Sequence, residues 1–499
     1  MPWMWIFFVL LGLTLYFIVK QSVVRITTTP WWQLWLALMI PVFVIAGWVL
    51  AQRTPKEMPS SLLIASFILS TVLYMALVSA NPRQTPQPSE TAASVTAEGD
   101  DIEALKPTSP VALNAAEQAQ LQNCFPWSVY YLQNIDLRPQ AVICRGQLRS
   151  EPEVAYHNIS QNVQAEFGDR FLVLFQDSGS DQPFFALVAN PYTKQAQQRQ
   201  LTRPVLALTL LVLTLLTTTW AGVNLSHPNF TESMVRENPQ LLWSGLTYAL
   251  PLLVILGIHE LGHYLAAQLY KIKTTLPYFI PLPPYFFSIG TFGAYIQVRS
   301  PIPHRKALFD VGIAGPLAGL VITLPVLVWG LMQSDLAALP NQGKGLSLDA
   351  FNPSFSFTFA LLCRLIFGQN LTADTGVDLH PMAVAGWLGL MVTALNLMPF
   401  GQLDGGHIVH AMYGQRMGVV IGQVCRILVL LLSFFQPVFL FWAILLLLMP
   451  AADEPALNDV SELDNYRDGL GLLALGILLL IILPVPNGLA PLFFTNPTP

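Results

Sequence analysis

Charge is scarce in this sequence. Only 11% of its 499 residues are Asp, Glu, Lys or Arg, against about 25% in an ordinary soluble domain. So few charges cannot cover a water-facing surface, which excludes a plain soluble fold and makes lipid the expected solvent for most of the chain. A basic excess is missing too. The formal net charge is -5, and a nucleic-acid partner, which needs a basic face, is not expected. Cysteine is nearly absent. Cys124, Cys144, Cys363 and Cys425 are too few for a disulfide scaffold. None sits in a C-x-x-C pair, so a thiolate zinc site is not expected either.

Apolar runs fill the space that charge leaves. Hydrophobic residues make up 53% of the chain and the mean hydropathy is +0.52. A membrane span needs about 20 apolar residues. Candidate spans lie at 3–19, 32–51, 61–79, 205–223, 242–270, 311–332, 382–400 and 470–492. The stretch 417–449 is long enough for two passes around Gln436-Pro437. The first run has no Lys or Arg before it, which favours a retained span over a removable signal peptide. The expected class is an all-α polytopic membrane protein carrying a small α+β soluble domain.

Four sections are expected. Residues 1–80 hold three spans. Residues 81–112, rich in Pro, Ser, Thr, Ala and acids, read as a flexible linker. Residues 113–203 read as a small α+β soluble domain of β-α-β-β type. Its strands are predicted at 141–144, 171–175 and 184–188, with a hairpin turn at Asp177-Ser178-Gly179-Ser180-Asp181. Its helix is predicted at 151–167, opened by a capping box of Ser150 and Glu153. Residues 204–499 read as the membrane core, whose longer polar loops are 271–310 and 333–381. Lys271, Lys273, Arg299, Arg305 and Lys306 cluster in the first of these loops. By the positive-inside rule the 242–270 helix then ends in the cytoplasm, with the soluble domain on the same side. Cys124 and Cys144 would there be free thiols.

Chemistry concentrates at two places. His259-Glu260-Leu261-Gly262-His263 follows an apolar run. On a helix, positions i and i+4 share a face, so the two imidazoles can hold one metal ion. Glu260 lies beside them as a general base for a water at that ion. Two histidines and a glutamate inside an apolar span cost several kcal/mol unless paired or bound, which makes them a functional site by default. Catalytic zinc takes three protein ligands. Asp404 stands in Asn396-Leu397-Met398-Pro399-Phe400-Gly401-Gln402-Leu403-Asp404-Gly405-Gly406, just after an apolar span, where Pro399 and Gly401 break the helix. Broken backbone at membrane depth lines a cavity, so Asp404 is the expected third ligand. His407 is its rival, and His304, His380 and His410 are weaker candidates.

These two motifs, His259-Glu260-x-x-His263 and Asn396-x-x-Pro399-x-x-x-Leu403-Asp404-Gly405, resemble without departure the signatures of the site-2 proteases, the intramembrane zinc metalloproteases. Gly290-Thr291-Phe292-Gly293-Ala294, Gly312-Ile313-Ala314-Gly315-Pro316-Leu317-Ala318-Gly319, His380-Pro381, Asn458-Asp459-Val460 and Gly168-Asp169-Arg170-Phe171 are similar to blocks of the EGY-like plastid and cyanobacterial branch. The resemblance covers roughly 120–490 and leaves 1–110 outside. It implies a helical core with a membrane-associated β-hairpin and one Zn2+ per chain on His259, His263 and Asp404. It implies Glu260 as the catalytic base and Asn396 as a holder of substrate or oxyanion. Transmembrane protein substrates, a plasma or thylakoid-type membrane and a regulatory partner for the 113–203 domain follow as expectations. The segment 288–298 is β-prone, and an extended substrate can add to it as a strand. Gly315-x-x-x-Gly319 reads as a helix-packing face. The alternative functions are a catalytically silent relative acting as a membrane chaperone or binding protein, and a zinc transporter, which would need polar groups spread along many spans.

Overall fold

The computed structural model describes residues 29–51, scattered positions in 62–77, and 113–177, 182–191, 203–227, 234, 237–282, 289–338, 351–435, 438–450 and 452–495. The span at 3–19, the linker at 81–112 and the turn residues 178–181 lie outside the described residues. The chain divides into two compact units, one of residues 1–106 with 427–448 and one of residues 107–426 with 449–499. In the first, Leu34 of α1 (Trp31–Ala51) is buried among Leu38, Tyr74 and Leu77.

The second unit begins with a small α+β module. It comprises α2 (Ala115–Asn123), β1 (Tyr130–Leu137), β2 (Ala141–Leu148), α3 (Pro152–Phe167), β3 (Phe171–Gln176) and β4 (Phe184–Ala189). Its antiparallel sheet has the order β1-β2-β4-β3. Ala155, Ile159 and Val163 recur every fourth residue on α3 and are buried against that sheet. Phe175 and Phe185 stack at 4.1 Å between centroids in the core. The Tyr130 hydroxyl is satisfied there by donating to Pro183 O at 2.9 Å.

Three features of this module differ from expectation, one of them α2, which was not predicted. The capping box at Ser150 is not formed. The N-cap of α3 is Glu151, without a side-chain cap bond, and Pro152 takes the first helical position, where no N–H is needed. Glu153 is drawn away to Lys306, 2.7 Å from its carboxylate. A capping box stands instead at α2, where Asn114 Oδ1 accepts from Glu117 N and Asn114 N donates to Glu117 Oε2. The third difference is β1, which was not expected.

The remaining helices are mostly long and apolar. They are α4 (Pro204–Ser226), α5 (Leu241–Leu269), α6 (Arg305–Leu331), α7 (Phe357–Phe367), α8 (Pro381–Asn396), α9 (Asp404–Phe435), α10 (Val438–Leu448) and α11 (Asn465–Ile482). Among the described residues, six helices are long and apolar enough to cross a membrane, namely α1, α4, α5, α6, α9 and α11. α6 starts six residues before the predicted 311, capped by His304. The predicted span 470–492 stops at Ile482, ahead of Pro484 and Pro486. The loop predicted at 333–381 contains α7 and a two-stranded sheet of Asp335–Ala338 and Thr375–Asp378. α9 breaks at Gly414, whose φ is 82°.

Small residues bring α4, α5, α6 and α8 together. A Cβ at Gly245 of α5 would lie 2.1 Å from Thr219 O of α4, so the two backbones touch there only because it is glycine. Beside them, β5 (Tyr278–Pro281) and β6 (Thr291–Tyr295) form a separate antiparallel pair. Gly290, with φ 78°, anchors this pair: its carbonyl accepts from Thr217 Oγ1 of α4 at 2.6 Å. Tyr248 of α5 donates to the neighbouring Ile289 O at 2.8 Å.

Candidate metal centre

α5 carries His259, Glu260 and His263 on its buried side, with exposures of 3%, 7% and 7%. Both imidazoles pack against α6, and the stripe Gly315-x-x-x-Gly319 is what lets them do so. A Cβ at Gly315 would fall 2.1 Å from His263 Nε2, and one at Gly319 would fall 3.1 Å from His259 Nδ1. The glycine stripe, expected only as a packing face between helices, is therefore also the floor of the site.

The loop between α8 and α9 delivers the carboxylate. α8 ends at Asn396 and α9 begins at Asp404. Between them the chain turns at Gly401, whose φ is 53°, with Leu397 and Phe400 fully buried. The glycines after Asp404 are required by this fold-back. A Cβ at Gly405 would meet Leu397 O at 2.0 Å, and one at Gly406 would meet Gly401 O at 2.2 Å.

Three donor atoms converge. His259 Nε2 and His263 Nε2 are 3.2 Å apart. Asp404 Oδ2 is 3.5 Å from the first and 3.3 Å from the second. Donors held ~2.0–2.1 Å from a tetrahedral zinc ion are ~3.3–3.4 Å from one another, so the three edges match that geometry. The proton positions agree. His263 Nδ1 donates to Val311 O at 2.7 Å, which leaves its Nε2 lone pair facing inward. Asn396 Nδ2 lies 2.9 Å from His259 Nε2, so its amide borders the donor cluster. Two ring nitrogens and a carboxylate oxygen this close to one another can share one cation. The donor set therefore fits a zinc ion. Among the described residues, this is the one group of His, Cys, Asp and Glu close enough to share an ion. The backbone of Ile296, just past β6, lies near the carboxyl of Glu260, so the β5–β6 pair borders the site.

The other histidines go elsewhere. His304 and His380 cap α6 and α8, their Nδ1 atoms accepting from Ala307 N and Met382 N. Burial pushes the pKa of each down, which keeps the accepting neutral ring. His407, the rival third ligand, points its Nδ1 at Asp453 Oδ2, 2.8 Å away. His410 contacts the same oxygen at 2.9 Å and, through Nε2, Asp459 Oδ1 at 3.0 Å. Burial raises the pKa of the Asp453 carboxyl, but the facing His407 and His410 more than offset this and hold it down at about 2. This network was missed in the sequence. Its signals were the spacing His407-x-x-His410, which puts both rings on one helical face, and the block Asn458-Asp459-Val460, neither of which names the partner.

Comparison with known proteins identifies the family. The family described as Peptidase family M50 matches residues 247–440, and the EGY3 middle domain matches residues 119–197. Probable zinc metalloprotease EGY2, chloroplastic, of Oryza sativa subsp. indica is 28% identical over 373 residues, covering 74% of this chain and 66% of that protein. Probable zinc metalloprotease EGY1, chloroplastic, of Arabidopsis thaliana is 31% identical, covering 70% of this chain and 67% of that protein. Probable zinc metalloprotease EGY3, chloroplastic, of Oryza sativa subsp. indica is 25% identical, covering 75% and 65%. The chain thus spans just under two thirds of the length of the rice EGY2 protein. With both signature motifs converging in space and similarity running through the module and the core alike, the chain belongs to peptidase family M50, the site-2 proteases, within its EGY-type branch.

Proposed function

We propose that this protein is a multi-pass membrane zinc endopeptidase that cleaves transmembrane proteins within or beside the bilayer, with one ion per chain on His259, His263 and Asp404. The observation that carries this reading is the triangle of donor atoms with edges of 3.2, 3.3 and 3.5 Å. Lipid as solvent is supported by large apolar side chains on outward faces, such as Val205 at 77%, Leu269 at 82% and Leu365 at 72% exposure, which water would penalise. The relatives named chloroplastic favour a thylakoid-type membrane over a plasma membrane.

A zinc ion held by His259, His263 and Asp404 would supply Lewis acidity there. Glu260 takes a proton from the attacking water and returns it to the leaving amine. The Asn396 amide, held against His259, donates to the oxygen that gains charge as the carbonyl is attacked. Gly315, Gly319 and Val311 O fix the imidazole planes. A helical substrate hides its carbonyls in i to i+4 bonds and has to unwind first. β6 pairs only with β5 among the described strands, so its second edge can receive the unwound segment as a strand. The module at 113–203 then serves to recruit or regulate.

The test is a membrane-tethered substrate cleaved by wild type and by Glu260→Gln. The variant is expected to retain its zinc and to lose ~10²–10⁴-fold in rate. Equal cleavage by the two proteins rejects the reading.

A further inference from the structure

The chemistry just described leaves a buried ionic chain unused. It starts one turn beyond Asp404. His407 and His410 both reach Asp453 Oδ2, at 2.8 and 2.9 Å, and His410 reaches Asp459 Oδ1 at 3.0 Å. The side chains of His410, Asp453 and Asp459 are 2%, 5% and 4% exposed. Arg305, at the start of α6, donates from Nε to Ala411 O at 2.7 Å on the same turn of α9. Ions this deep are tolerated only in tightly paired geometry, so the first turns of α9 are clamped from one side by residues 453–459.

The far end of that segment grips the soluble module. Phe175 N of β3 donates to Leu457 O at 2.7 Å, and Asp459 N donates to Phe175 O at 2.9 Å. Gln176 Nε2 donates to Ala456 O at 3.0 Å. On its other side the segment donates from Leu457 N to Ile302 O and from Asn458 N to Pro303 O, just before α6. Residues 456–459 thus form a strap laid along the β3 edge of the module, and Asp459 belongs to both ends of the connection.

There is little slack between the clamp and the carboxylate. A Cβ at Gly312 of α6 would lie 3.0 Å from His407 Cβ and 3.3 Å from Asp404 O. The turn Asp404–His407 therefore rests directly on α6, and moving His407 moves Asp404.

We infer that Asp453 and Asp459 are positioning residues for Asp404, and that the module, through the strap, sets how tightly the site holds its ion. This rests on the ligand set proposed above. The probe is Co2+ alone, titrated into purified full-length protein against a competing chelator, with the visible spectrum of the bound ion recorded. Asp453→Asn and Asp459→Asn are expected to weaken Co2+ binding ~10–100-fold, the range for residues that orient a ligand from behind, and to change the spectrum. Asp453→Glu should restore most of both. Gln176→Ala should weaken binding in the same direction, although its contact is with the strap backbone at Ala456 rather than with the clamp side chains. Asp464→Asn, outside the clamp, should bind as wild type does. Wild-type affinity and spectrum in both Asn variants overturn the inference. If either variant fails to fold, His410→Gln is read by the same two measurements, with the same result overturning it. Co2+ held by wild type through residues other than His259, His263 and Asp404 would defeat the ligand set and the inference with it. A normal site in wild type with silent Asn variants defeats the inference alone.

Discussion

Replacing Gly315 with alanine should separate helix chemistry from site chemistry. In an exposed helix interior, Gly to Ala normally gains ~1 kcal/mol through backbone entropy. Gly476, on α11 with nothing within 4 Å of where a Cβ would stand, provides that reference case. At Gly315 the new Cβ would stand 2.1 Å from His263 Nε2, 2.4 Å from Cδ2 and 2.5 Å from Cε1. Comfortable non-bonded separation is ~3.5 Å or more, so the ring has to retreat by over ~1 Å. The bond from His263 Nδ1 to Val311 O, at 2.7 Å, opposes that retreat. Metal–ligand distances tolerate only ~0.2 Å. Zinc affinity should therefore fall at least ~100-fold, or ~2.8 kcal/mol, with a further ~1–3 kcal/mol of overpacking strain in the fold. Gly319→Ala, whose Cβ would be 3.1 Å from His259 Nδ1, needs a shift of only a few tenths of an ångström and should lose ~10-fold. The assay is zinc competition with a chromophoric chelator on the three purified variants, with thermal unfolding measured alongside. If Gly315→Ala binds zinc as tightly as Gly476→Ala does, the reasoning fails.

Other outcomes follow from the module and its contacts. Asn114→Ala should cost ~1 kcal/mol in the stability of α2, while Ser150→Ala should stay within ~0.5 kcal/mol. Hydrogen exchange over 115–123 and 152–167 distinguishes them, and equal effects would contradict the capping assignment. Burial pushes the thiols of Cys124 and Cys144 up to about 11 and about 12, so neither should react with a maleimide at neutral pH until the protein unfolds. Rapid labelling of the native protein would show the core to be open. Lys306, hydrogen-bonded to the Glu153 carboxylate, holds that group below its ordinary 4.5. The contact between module and α6 is then fully present above that value and is lost as pH falls through the lowered one. Because Glu153 is exposed, the effect is screened to under ~1 kcal/mol. Exchange at the start of α3, followed from about pH 6 to about pH 3 in wild type and Glu153→Gln, should converge at the acid end.

The parts of the site that were readable in the sequence were those set by local spacing. His259 and His263 share a face at any helix of that register, and the glycines around Asp404 announced a close backbone approach. The partnership between Asp404 and the two histidines was not local. Residue chemistry left His407 as a rival, and only the structure shows His407 turned to Asp453. Asp453 looks like an ordinary loop acid in a polar stretch, and the Asn458-Asp459-Val460 block did not disclose the partner of Asp459, because burial supplied by distant segments leaves no periodic trace. β1 escaped for a different reason. A register shift between Leu132 and Asn134 interrupts its alternation, and the strand is half exposed. α2 was hidden by its small apolar content, with only Leu121 buried. α7 was absorbed into a loop because it is 11 residues long, short of a span.

The seam along β3 also bears on how the soluble portion can be handled. Cut at 203, that portion would leave behind the very segment that covers its outer strand, together with Val460, which packs on its core. A bare strand edge invites pairing with a second copy. A fragment carrying residues 453–462 on a short tether should therefore stay monomeric where the shorter piece self-associates.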